Sequence, residues 1–140
     1  MSNQSGVIGL GGIFIKFDDP NGMRDWYRNT LGITTNDYGI LFEFGGTDTK
    51  PGYLQLGTFE ASSTYFGSDQ QRCMLNFRVG DLEAFAKQLQ ADGVKILDDI
   101  ESYEYGKFLH IEDPEGNRIE LWEPIDHEFS HDRSSIMPLR

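Results

Sequence analysis

Polar and apolar residues alternate along Gly12-Ile13-Phe14-Ile15-Lys16-Phe17 and again along Met74-Leu75-Asn76-Phe77-Arg78-Val79. A period of two marks a half-buried strand, so both segments are predicted strands, with Ile13, Ile15 and Phe17 matching Leu75, Phe77 and Val79 on one face. Each run ends near an aspartate, Asp19 or Asp81, suited to cap a helix through its carboxylate. Pro20 then fits the first helical position. Met23, Trp26, Tyr27 and Leu31 follow at helical spacing, as do Leu82, Phe85, Ala86 and Leu89 in the second copy. Gly32 and Gly93 can close the helices in the left-handed conformation. Ile33 and Val94 restart apolar chain as short strands.

The parallel continues downstream. Tyr38-Gly39-Ile40-Leu41-Phe42-Glu43-Phe44 matches Tyr105-Gly106-Lys107-Phe108-Leu109-His110-Ile111, and Gly52-Tyr53-Leu54-Gln55-Leu56 matches Asn117-Arg118-Ile119-Glu120-Leu121. The chain therefore reads as an α+β domain made of two βαβββ modules. One domain is expected over 7–124, with a first module at about 9–60, a polar linker at 61–71 and a second module at 72–124. The second hairpin turns on Asp113-Pro114-Glu115-Gly116-Asn117, strong turn chemistry. Beyond Pro124 the periodicity lapses, and 125–140 is expected to be a tail or short helix, possibly ordered by a partner subunit.

Composition narrows the function classes. The 140 residues carry a formal net charge of −11, which opposes binding to a nucleic-acid backbone and permits attraction of cationic small molecules. Aromatic residues reach 13%, enough to bury much apolar area with few side chains. No apolar run approaches a membrane span. The N-terminal Met1–Gly6 lacks the basic start of a secretion signal, and a lone Cys73 rules out an internal disulfide, so a cytoplasmic location is expected. There is no G-x-S-x-G, P-loop or CxxC pair.

The run from Asp113 to Glu123, with its Glu120-Leu121-Trp122-Glu123 end, resembles the closing hairpin of vicinal-oxygen-chelate proteins, the superfamily of glyoxalases, bleomycin-resistance proteins and dioxygenases. Trp26-Tyr27 with Leu31-Gly32 resembles their first-helix signature. The resemblance covers about Gly9 to Pro124. It implies that the modules join into a cup-like, eight-stranded mixed sheet with helices outside, and that the protein is a homodimer, since the family commonly pairs. In metal-dependent members, the first and last strand of each module each give a ligand to a divalent metal.

Strand alternation says which side chains enter such a cup. Gly12, Phe14 and Lys16 face inward, with Met74, Asn76 and Arg78 from the second module, and so do Glu43, Gln55, His110, Glu120 and Trp122. The family's ligand positions fall on Gly12, Gln55, Met74 and Glu120. Gly12 has no side chain, Met74 is a poor ligand for a hard cation and Gln55 a weak one, so the usual metal site is absent and no cofactor is expected. His110 and Glu120 admit three readings. They are an acid–base or ligand-anchoring pair, satisfied polar groups between strands, or, with Glu43, a displaced metal site. Phe14, Lys16, Glu43, Gln55, Asn76, Arg78 and Trp122 are the candidate ligand-binding residues, with Lys16 and Arg78 able to meet an anion or simply to pair with acidic neighbours. Tyr103 and Tyr105 could grip a planar ligand or belong to the core. Cys73 reads as packing. In the tail, His127 and His131 with Asp126 and Asp132 have metal-ligand spacing, although such tails usually carry none.

Two function classes follow. One is an enzyme, a glyoxalase-like isomerase, lyase or hydrolase-like member acting on a small oxygenated metabolite. It is either metal-independent, with His110 and Glu120 as acid–base groups, or a metal-dependent lyase or isomerase with the displaced site. The other is a bleomycin-resistance-type protein that binds and sequesters a small molecule. An interaction domain whose cup is filled by its own side chains is a third, weaker option.

Overall fold

The computed structural model describes residues 6–44, 52–125 and 136–137. The first module comprises β1 (Val7–Phe17), α1 (Pro20–Leu31), β2 (Gly39–Phe44) and β3 (Gly52–Glu60). The second comprises β4 (Cys73–Val79), α2 (Leu82–Ala91), β5 (Lys95–Ile96), β6 (Glu101–Tyr103), β7 (Gly106–Glu112) and β8 (Arg118–Pro124). A last strand, β9 (Ile136–Met137), comes from the tail. All nine strands form one open mixed sheet in the order β5-β7-β8-β4-β1-β3-β2-β9, with β6 on β7. Among the described residues no helix is long and apolar enough to cross a membrane.

The helix signals act as their chemistry requires. The Asp19 carboxylate accepts from the Gly22 amide at 3.0 Å, and Asp81 does the same for Ala84 at 3.1 Å. Gly32 ends α1 with φ +70°, and Gly93 follows α2 with φ +81°. Val79, Leu82, Leu109 and Leu121 form the core between α2 and the sheet, joined by Phe85, Leu89, Ile111 and Ile119. Burying side chains of this kind contributes on the order of 2 kcal/mol each. The Glu123 carboxylate accepts from the Leu82 amide at 2.8 Å and ties the closing strand to the start of α2. The α1 stripe is only partly used. Tyr27 meets Phe17 edge-on, but Trp26 and Leu31 are about half exposed.

Two expectations need correction. Ile33 does not start a strand, because polar chain follows it and Asn36 instead turns the backbone by accepting from the Tyr38 amide at 2.8 Å. The tail does not stay apart from the sheet. Ile136 and Met137 pair in parallel with Leu41 and Phe42, and Ile136 packs on Leu41 and Tyr53. β9 therefore lies outside β2 as β5 lies outside β7, and an apolar pair from the tail covers the edge that Ile33 leaves open. The histidine and aspartate cluster at 126–132 lies outside the described residues.

Gly39 and Gly106 open equivalent strands with φ of +134° and +137°. A Cβ on Gly106 would lie 2.3 Å from the Glu123 carbonyl oxygen and 2.6 Å from Trp122 Nε1. Gly106→Ala is therefore expected to cost about 1–3 kcal/mol. Gly116→Ala, also at positive φ but with nothing within 4 Å of its added Cβ, is expected to cost less. Urea unfolding midpoints check the order, and equal losses would remove the Glu123 carbonyl from the explanation.

Candidate active site

The parallel pairings place Gly12 beside Gln55 and Asn76 beside Glu120, and the seam between modules places Gly12 opposite Asn76. Four positions thus meet at the centre of the inner face. Asn76 stands to Glu120 as Gly12 stands to Gln55, so the sheet register differs by two residues from the match of Gly12 with Met74. Met74 instead packs with Phe14 and Phe66.

Glu120 is the hub, only 1% exposed. Its Oε1 accepts from Asn76 Nδ2 at 2.6 Å, and its Oε2 accepts from the Tyr65 hydroxyl and lies 2.9 Å from His110 Nε2. On the far side of the imidazole, His110 Nδ1 is 2.6 Å from Asp98 Oδ2, and the His110 amide donates to Asp98 Oδ1 at 2.8 Å. His110 is thus held between two carboxylates. Burial alone would lower its pKa, but hydrogen bonds and charge from Glu120 and Asp98 outweigh it and raise the pKa above its ordinary value. Each ring nitrogen thus faces a carboxylate oxygen to which the protonated ring can donate. The Tyr65 phenol is pushed well up, first by burial and then by the Glu120 charge, so it stays protonated.

A cavity of about 780 Å³ opens over this hub, lined by Glu120, Asn76, Gln55 and Tyr65 with aromatic rings that include Phe14 and Trp122. Its size suits a small organic ligand. His110 sits behind Tyr65, ring against ring at 5.1 Å and near perpendicular.

The remaining predicted site residues divide. Phe14, Gln55, Asn76 and Trp122 reach the cavity. Lys16 is 3% exposed, and its Nζ donates to the Ser68 carbonyl at 3.2 Å over the Phe66 ring. It anchors the connection between modules and is not among the residues that line the cavity. Arg78 donates to the Tyr53 carbonyl at 2.8 Å and lies over the Trp122 ring. Glu43 sits opposite Tyr53 on β2 and does not line the cavity. It is five strand spacings from His110, ~24 Å along the sheet.

Two site residues escaped the sequence reading, Tyr65 and Asp98. Tyr65 lies in the segment read as a polar linker. Phe66, fully buried, pins that segment onto the sheet, and Tyr65 stacks on Phe59 at 5.7 Å. The adjacent aromatics Tyr65-Phe66 amid serine and glycine were the available signal. Asp98 follows β5 in irregular chain, where periodicity is silent.

A divalent metal, which the fold implies, does not fit this donor set. A Cβ on Gly12 would already stand 2.8 Å from the Phe14 ring and 2.9 Å from the Gln55 carbonyl oxygen, and the Gln55 amide nitrogen donates to backbone carbonyls. Met74 is packed among aromatics, so of the four family positions only Glu120 is a carboxylate. The displaced site fails too. Glu43 is remote, each His110 nitrogen faces a different carboxylate, and among the described residues no three His, Cys, Asp or Glu side chains group to hold an ion.

Residues 9–121 match the profile of the Glyoxalase/Bleomycin resistance protein/Dioxygenase superfamily, and the chain belongs to that superfamily. Solved structures agree on the fold. Methylmalonyl-CoA epimerase from Mycobacterium tuberculosis superposes with a TM-score of 0.59 at 23% identity, covering 93% of this chain and 97% of that one. Streptomyces coelicolor methylmalonyl-CoA epimerase in complex with 2-nitronate-propionyl-CoA gives 0.62 at 18% identity, covering 86% and 99%. A superfamily member from Vibrio splendidus gives 0.53 at 14% identity, covering 81% and 98%. No curated protein matches the sequence.

The His110 linkage makes a signed prediction. A folded-state pKa above the unfolded value of 6.5 contributes stability that is complete below pH 6.5 and is lost as pH rises through the folded value. The stability gap between wild type and His110→Gln should therefore narrow from pH 6 to pH 9 in denaturant titrations. A gap that is constant or widens with pH would show that His110 is neutral in the fold.

Proposed function

We propose that this protein is a metal-independent acid–base catalyst, a glyoxalase-like isomerase or lyase that moves a proton on a small oxygenated metabolite. The observation that carries the reading is Glu120, a buried carboxylate at the cavity floor held by Tyr65, Asn76 and His110. A carboxylate that accepts several hydrogen bonds is a weak base. If Tyr65 turns its hydroxyl from Glu120 to an oxygen of the ligand, it polarises that oxygen and removes one donor from Glu120. The Glu120 oxygen that Tyr65 vacates then faces the ligand as the substrate's proton becomes more acidic. Glu120 takes the proton, and the His110 imidazolium, held by Asp98, stabilises the resting carboxylate and remains beside it. Epimerases among the structural neighbours support proton transfer as a chemistry this fold hosts.

The second reading, binding and sequestration of the bleomycin-resistance type, is favoured by the aromatic lining of the cavity. Solvent-deuterium exchange separates the two. A panel of 2-oxo acids, α-hydroxy carbonyl compounds and acyl thioesters is incubated in D2O and followed by proton NMR. At least one compound should exchange its α-proton, and Glu120→Gln should slow that exchange about 10²–10⁴-fold, the usual contribution of an acid–base group. Folding should survive and EDTA should have no effect. Undiminished exchange in Glu120→Gln would overturn the assignment, and absence of exchange across the panel would favour sequestration.

A homodimer also belongs to this reading. Exposed Val7, Ile8 and Leu10 on β1 and Leu75 on β4 support self-association. Sedimentation equilibrium should return twice the chain mass, and a monomer at micromolar concentration would refute it.

A further inference from the structure

We propose that the cup takes a protonated amine, with its N–H groups on Asn76 and Glu120 and an apolar body along the aromatic wall. This names the ligand class of the site assigned above and rests on the same cavity.

Charge gives the first argument. The charged side chains lining the cavity are Asp37, Glu101 and Glu120, all carboxylates, and among the described residues no lysine or arginine lines it. The nearby cations are engaged by neutral partners, Lys16 by the Ser68 carbonyl, Arg78 by the Tyr53 carbonyl, and Arg24 by the Thr58 hydroxyl and Asn21. His110 lies between Asp98 and Glu120, so even as an imidazolium it leaves that trio net negative. Asp37 also borders a hollow shared with Arg24 and Arg28, so the rim carboxylate that draws cations toward Glu120 is the exposed Glu101.

An unpartnered acceptor gives the second argument. Asn76 is 1% exposed, and its Oδ1 has no hydrogen-bond partner among the described residues. The amide cannot simply be turned over, because Nδ2 is committed to Glu120 Oε1 and the reversed group would set oxygen against oxygen. Oδ1 points at Gly11, where a Cβ would come within 2.2 Å, and both residues line the cavity. A buried acceptor left unpaired is costly, and a donor brought by the ligand removes that cost. With the Glu120 carboxylate alongside, the floor offers acceptors to a group that only donates. An ammonium is such a group.

The wall is the third argument. Tyr103 stacks on Tyr105 at 6.1 Å and Phe108 on Trp122 at 5.9 Å, and the two tyrosines are about half exposed. Ring faces attract cations, and this wall already seats one, since Arg78 Cζ lies 5.3 Å from the Trp122 ring centroid. Glu101 sits close enough to Tyr103 to raise its phenol pKa, which puts negative charge at the wall's outer end.

The test uses the full chain carrying Trp26→Phe, which leaves Trp122 as its only tryptophan; Trp26 is on α1, away from the cavity. Binding of 2-phenylethylamine, 3-phenylpropanol and 3-phenylpropionate is followed at pH 7 by tryptophan fluorescence and by backbone amide NMR shifts. The amine should bind roughly tenfold or more tightly than either analogue, and its affinity should fall with salt. Shifts should cluster at Asn76, Glu120 and Tyr103, and Glu101→Gln should weaken the amine two- to threefold. Equal or tighter binding of the alcohol or carboxylate, or shifts outside the cup, would overturn the proposal. No amine binding, with exchange still lost in Glu120→Gln, would sink the ligand class and leave the acid–base reading standing. Amine binding mapped to the cup, with exchange indifferent to Glu120→Gln, would do the reverse.

Discussion

The antiparallel pairing of β1 with β4 joins two half-sheets, and it depends on an absence of side chains at Gly11 and Gly12. At the seam these glycines face Asn76, and the β1 register shifts between Leu10 and Gly12. A Cβ on Gly11 would meet Asn76 Oδ1 at 2.2 Å and Arg78 at 2.9 Å. Because no side chain fills that space, the Asn76 amide can set its Oδ1 against Gly11 on the seam side while its Nδ2 donates to Glu120 on the strand at its other side. Everything at the floor of the cup follows from this close approach. Gly12, which leaves the first strand without a ligand at the family's position, and Gly11, which leaves room for the Asn76 amide oxygen, are neighbours at this seam.

Hydrogen bonds connect the side chains at this centre, a donor set that does not suit a divalent ion. A divalent ion draws ligands inward because it is a concentrated positive charge. Here the Glu120 carboxylate takes that place, and the groups around it are a phenol, an amide and an imidazole ring. Inverting the sign at the centre inverts the chemistry asked of the lining. It also accounts for the second carboxylate behind His110, since a buried imidazolium needs a partner on each nitrogen.

Much of this was legible in the sequence, for identifiable reasons. Strand parity follows from covalent geometry, so period-two alternation at Ile13 to Phe17 and Ile119 to Leu121 assigned inner and outer faces without a structure. Capping aspartates and the Asp113 turn are equally local. Asp113 accepts from the backbone and side chain of Asn117, which hold its carboxyl below the usual range. Local rules are silent on groups brought in by irregular chain. Asp98 acts through the geometry of a short edge strand, and Tyr65 through an anchor, Phe66, whose pocket is built by Phe14, Phe59 and Met74. Glu43 shows the opposite failure. Its side-chain parity suggested the inner face, but parity carries no information about strand order, and strand order set it far from His110.

Tyr65 lies between the modules and has no counterpart in either. A doubled fold contains two of every strand and helix, but one connection. Two identical half-length chains pairing across the β1–β4 seam could reproduce the sheet and its pseudo-symmetry, yet neither would contain the crossing segment that delivers a phenol to Glu120. The single connection therefore gives the cup an asymmetry that its paired strands alone would lack.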